Sequence, residues 1–97
     1  MDFEFDLAKS EANWAKHGID FVAAQELWSV WSLEKALPLQ REPRWMRIVL
    51  FDERFWAIVY TMRGNRIRLI SVRRARKEEV FDYDVANRGR FGHDPQS

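Results

Sequence analysis

The stretch Met46–Arg74, MRIVLFDERFWAIVYTMRGNRIRLISVRR, decides the fold. Two turn signals, Asp52-Glu53 and Gly64-Asn65, divide it into strands over Met46–Phe51, Phe55–Arg63 and Arg66–Arg74. Connections this short leave no room for crossover helices, so antiparallel neighbours are expected and the pattern argues against a doubly wound fold. The run FWAIVYTM (55–62) is apolar on both faces, the pattern of a central strand covered by helices.

Upstream of this meander, Phe3 and Phe5 alternate with Asp2, Glu4 and Asp6 and predict a short strand. Asp6 can cap a helix over residues 7–16, with Leu7, Ala8, Ala12 and Ala15 near one side and Trp14 towards its border. Gly18 suits a left-handed terminator. Asp20 can cap a second helix from Phe21 to Trp28, stapled by Ile19. Trp31–Leu37 reads as an edge strand and Pro38–Pro43 as a loop. Downstream, Val80, Phe81, Tyr83, Val85 and Ala86 change the period to that of a helix from Lys77 to Ala86 or Arg88, with Glu78 and Glu79 in its first turn. The predicted architecture is α+β. It is a two-layer domain over residues 1–88, an antiparallel sheet packed with an N-terminal helix pair and a C-terminal helix. A flexible tail is expected over 89–97.

Charge is unevenly spread. Residues 1–42 carry four basic and eight acidic side chains, residues 43–77 ten and two, and residues 78–97 two and five. The segment RGNRIRLISVRRARK (63–77) holds seven basic residues and no acidic one, six of the seven arginine. A concentrated cationic field raises the local concentration of a polyanion, and planar guanidiniums suit phosphate. Simple alternation puts Ile67, Leu69, Ser71 and Arg73 on one face of the last strand, and Arg66, Arg68, Ile70, Val72 and Arg74 on the other. Arg73 and Arg74 then leave the strand with Arg76 and Lys77 as a phosphate-binding rim. Arg63 falls beside Arg66 at the opposite end, so two subsites, or one for a nucleic acid and one for a protein, are expected rather than one patch.

The sequence has no cysteine, which excludes disulfide and thiolate chemistry. It shows no secretory leader, no apolar run of membrane-spanning length, no phosphate-binding loop, no dinucleotide signature and no nucleophile elbow. A cytoplasmic protein with no cofactor and no metal is expected. His17, at a helix exit, is the side chain of a type suited to proton transfer near neutrality. Lys9 and Lys16, seven apart, share a helix face with one another.

Three ordered blocks carry a resemblance: Phe3–Ala24 (FEFDLAKSEANWAKHGIDFVAA), Ala57–Arg63 (AIVYTMR) and Ile67–Tyr83 (IRLISVRRARKEEVFDY), with Arg44-Trp45 between the first two. The chain resembles the BrnT family of type II toxins. The matching positions include Lys9, Asn13, Lys16, His17, Arg44, Tyr60, Thr61, Arg63, Ser71, Arg73, Glu79 and Tyr83. Two positions depart from the pattern: Phe5, where the family commonly has tryptophan, and Val49, where it usually has glycine. The resemblance implies a RelE-like ribonuclease that cleaves RNA without a metal and inhibits translation. It also implies a BrnA-like ribbon-helix-helix antitoxin as partner, with operator DNA bound only through the complex. Arg73, Arg74, Arg63 and His17 are the expected catalytic residues, and Lys9, Lys16, Arg44, Arg76 and Lys77 the expected RNA contacts. The alternative is a non-enzymatic nucleic-acid-binding or adaptor domain acting through the same Arg-rich surface.

Overall fold

The structure, a computed structural model, describes residues 1–38 and 41–91. Strand β1 (Asp2–Glu4) leads into helix α1 (Leu7–His17) and a 3-10 helix over Ala23–Trp28. Strands β2 (Ser32–Ala36), β3 (Trp45–Phe51), β4 (Arg54–Arg63) and β5 (Arg66–Arg74) follow, and helix α2 (Lys77–Gly89) comes last. The strands form one sheet in the order β1-β5-β4-β3-β2. Strands β3 to β5 are the antiparallel meander that the two-residue turns demand, and β2 joins it antiparallel to β3. Asp52 and Glu53 turn the first hairpin with φ of 51° and 64°, the left-handed pair that matches strand twist. Gly64 turns the next with φ of 62°.

Three features depart from expectation. Strand β1 pairs parallel to β5, Phe3 opposite Ile67, so the sheet is mixed rather than wholly antiparallel. No hairpin links these two strands, and no turn therefore fixes their relative direction. The second helix is a 3-10 helix that begins two residues later than Phe21, with Asp20 accepting the Ala23 N–H at 2.8 Å. The C-terminal helix runs on to Gly89, and the expected tail beyond residue 91 lies outside the described residues.

One sheet face carries the main core. Phe21, Ala24 and Leu27 close over Val49, Trp56, Ile58, Ile67, Leu69 and Val72, all buried. Val49, one of the departures from the family pattern, lies in this core. Phe5, the other, meets Phe21 edge-on at 5.7 Å between centroids. Helix α2 packs against β2 and β3 on the opposite face, with Tyr83 edge-on to Trp31 and Phe55 and Asp82 paired to Lys35. The two predicted layers thus gain a partial third. Between α2 and the Gly64 turn, the second face of β4 and β5 has no helix over it.

Helix α1 is capped as the sequence predicts: Asp6 Oδ1 accepts the Lys9 N–H at 3.1 Å, and Gly18 takes φ of 74°. Its buried face is not the alanine-rich side, however. The buried residues are Ser10 and Asn13, while Leu7, Ala8, Ala12, Trp14 and Ala15 are exposed. The cause lies in β5. Pairing with β1 ends at Arg68, so the β5 edge beyond it needs hydrogen-bond partners. Asn13 supplies them at Val72: its Nδ2 donates to the Val72 carbonyl at 2.9 Å, and its Oδ1 accepts the Val72 N–H at 3.1 Å. The same Nδ2 donates to the Ile19 carbonyl at 2.7 Å, and Ser10 Oγ accepts the Phe21 N–H at 2.9 Å. Helix α1 therefore seals a strand edge through polar side chains.

Candidate functional site

A β-bulge organises the site. Val59 pairs with Ser71 and Tyr60 with Leu69, which leaves Ile70 as an extra residue on β5. The alternation breaks there. Val72 and Arg74 join the core face of Ile67 and Leu69, while Ser71 and Arg73 join the face of Arg66 and Arg68. The predicted grouping of Arg73 with Ile67 and Leu69 is corrected accordingly.

Beside the bulge, Lys9, Ala12, Asn13, Lys16 and His17 recur at helical spacing and form one stripe of α1. With Ile70 and Ser71 they line a shallow groove of about 230 Å³. Two lysines, a histidine and a serine thus line one groove. Asn13 fixes the stripe by its hydrogen bonds to Val72, one residue beyond the groove floor. Of the expected site residues, Lys9, Lys16 and His17 are brought together. The roles of Asn13 and Ser71 in shaping this groove were missed. Only the register slip at Ile70 brings Ser71 to it, and no local sequence signal marks that slip.

The arginine rim is not one surface. Arg73 donates from both terminal nitrogens to the two oxygens of Glu79, each at 2.8 Å. This fork raises the pKa of Arg73 and lowers that of Glu79, in each case against the opposing push of burial. Glu79 also accepts the Arg76 N–H at 2.8 Å, closing the first turn of α2. Arg73 therefore ties β5 to α2, and any phosphate at Arg73 would have to compete with Glu79. Arg74 points to the other face, 5.5 Å over the Trp56 ring. Arg76 and Lys77 are exposed at the start of α2.

Arg63 lies at the far end of the sheet beside Arg66, as the hairpin geometry predicts, and Arg44 lies near it. With Arg41 and Glu42 they line an open pocket of about 600 Å³. Thr61 is buried and donates to the Pro43 carbonyl, which anchors the chain leading into Arg44. Tyr60 belongs to neither site: its ring stands in the aromatic cluster with Trp28 and Trp45, and its hydroxyl donates to Glu34 at 2.6 Å. Burial, then the Glu34 hydrogen bond, push that phenol far above its ordinary pKa. Among the described residues, no group of three or more His, Asp or Glu side chains could hold a metal ion.

A mixed sheet flanked by an N-terminal and a C-terminal helix, with cationic side chains gathered at its last strand, defines a small α+β protein of RelE-like arrangement. Residues 5–79 match the family model described as the ribonuclease toxin BrnT of type II toxin-antitoxin systems. The chain belongs to the BrnT family. A comparison with curated proteins returned no match.

Proposed function

We propose that the chain is a ribonuclease toxin that cleaves RNA without a metal, the scissile phosphate lying in the groove between α1 and β5. The observation that carries this reading is the convergence of Lys9, Lys16, His17 and Ser71 on one groove, in a chain that belongs to a ribonuclease-toxin family. In the proposed reaction the 2′-hydroxyl attacks the adjacent phosphorus and the bond to the 5′-oxygen breaks. The products are a 2′,3′-cyclic phosphate and a free 5′-hydroxyl. His17 is of the side-chain type that exchanges protons near neutrality, and it accepts the 2′-hydroxyl proton or delivers one to the leaving oxygen. Lys9 and Lys16 offset the charge that builds on the phosphorane, and the Ser71 hydroxyl orients a phosphate oxygen.

Cleavage would arrest translation in the cytoplasm. A BrnA-like ribbon-helix-helix antitoxin would neutralise the chain, and the complex would reach operator DNA through the antitoxin. The direct test is incubation of purified protein with RNA in excess EDTA. Cleavage is expected to persist under chelation, and His17→Ala or Lys16→Ala should slow it by about 10²-fold or more. RNA that is bound in a salt-dependent way but stays intact would favour the non-enzymatic reading. Loss of all cleavage on chelation would refute the metal-free mechanism.

A further inference from the structure

Several arginines among the described residues have their charge met closely by a carboxylate. Arg47 pairs with Glu34, Arg68 donates to Glu4 at 2.8 Å, and Arg73 takes the fork of Glu79 at 2.8 Å. Each has a carboxylate at hydrogen-bond distance. The pocket at the Gly64 end differs. There Glu42 is shared between Arg44 at 4.0 Å and Arg63 at 3.7 Å, beyond hydrogen-bond reach of either. Arg41 lines the same pocket and has no ion pair among the described residues. Three guanidiniums therefore face one loosely held carboxylate. The Arg44 Nε is, in addition, buried with no hydrogen-bond partner among the described residues. A buried donor without an acceptor costs free energy until an acceptor arrives.

The pocket also has a fixed relation to the groove. Parity along β4 puts Val59, Thr61 and Arg63 on one face, because Trp56, Ile58 and Tyr60 all join the core on the other. Val59 pairs with Ser71, at the groove, and Arg63 pairs with Arg66, at the turn. Four residue steps along β4 separate them, about 13 Å along the sheet face that no helix covers. A single strand of nucleic acid laid across that face would place one phosphate at the groove and a later one at the arginine pocket.

We infer that Arg41, Arg44 and Arg63 form a second anion site, which takes a phosphodiester of the same RNA strand a few nucleotides from the cleaved bond. Glu42 occupies the site until RNA arrives. This rests on the proposed cleavage in the α1–β5 groove, but it makes a claim about binding that stands apart from chemistry. Glu42 offsets part of the arginines' charge in the free protein and competes with phosphate for them.

The test is fluorescence anisotropy with a labelled oligoribonucleotide that is 2′-O-methylated throughout and so cannot be cut by 2′-attack, titrated over a range of salt. Replacing both Arg44 and Arg63 by alanine should weaken binding and flatten the dependence of log affinity on log salt by about 0.7, the share of the one phosphate that the site neutralises on a single strand. Glu42→Gln should act in the opposite direction and tighten binding about two- to fivefold, the range of one exposed charge pair. Melting curves confirm that each variant is folded. Absence of binding by the parent protein, an unchanged salt slope in the double variant, or no gain in Glu42→Gln would each overturn the inference. An unchanged slope is also the result expected if an acidic protein segment, not RNA, fills the pocket. If the parent binds this oligonucleotide with the expected variant effects but leaves unmodified RNA intact, the cleavage reading fails and the anion site remains.

Discussion

Arg73→Ala is expected to act on stability before it acts on chemistry. The Arg73 and Glu79 side chains are 19% and 11% exposed, and both guanidinium nitrogens bond to the carboxylate. Removing one partner of a buried ion pair costs about 3–5 kcal/mol, because the other charge is left in a poor solvent. Glu79 keeps the Arg76 N–H and a little water, so we take the lower end, about 3 kcal/mol. For a domain of this size that lowers the melting temperature by about 12 °C or more. The loss should also depend on pH. Arg73 holds the Glu79 carboxyl below its ordinary value. Its stabilisation is therefore complete above the unfolded-state value of about 4.3 and is lost as pH falls through the depressed folded value. In the variant the carboxylate is buried without its counter-charge. Its penalty is relieved once acid protonates it, and the stabilities of parent and variant must converge. Urea denaturation from neutral pH down to about pH 3 reads both effects. A variant within about 1 kcal/mol of the parent at neutrality, or a gap that stays constant in acid, would refute the reasoning. Arg73→Lys should fall between the two, since lysine keeps the charge but not the fork.

Asn13→Ala should cost about 3 kcal/mol in urea denaturation, since it removes three hydrogen bonds and leaves the Val72 N–H and carbonyl unpaired. Hydrogen exchange at the Val72 amide should accelerate in the same variant, and unchanged protection there would contradict the edge-sealing role of α1. Co-expression with a ribbon-helix-helix antitoxin should yield a complex of 2:2 or larger in size-exclusion chromatography. A toxin that elutes as a monomer beside its antitoxin would count against that partner.

The meander was legible because two-residue turns leave strands only one way to go. Both caps of α1 were legible as well, since Asp6 and Gly18 meet local backbone needs that their own neighbours define. What could not be read depends on distant contacts. Ser10 and Asn13 look like solvent-facing residues until β5, some 59 residues away in sequence, presents an unpaired edge to them. The bulge at Ile70 carries no glycine or other local mark, yet it decides which face Arg73 takes. Alternation alone put Arg73 beside the core, and the slip sends it to Glu79. The cationic field in the sequence was real, but it counts side chains without their partners. Pairing with Glu4, Glu34 and Glu79 withdraws three of the arginines from it.

The groove has one wall from residues 9–17 and its floor from residues 70 and 71, joined through Asn13 and Val72. Neither part exists without the other, because the helix stripe is aligned by the very edge that it seals. A chain emerging during synthesis therefore carries its lysines and histidine early, but as scattered surface charges. They become a site only after β5 has been made and has come back to meet the N-terminal helix, a long-range closure of the slow-forming kind. Any fragment that stops short of Val72 is unarmed, however much of the molecule it contains.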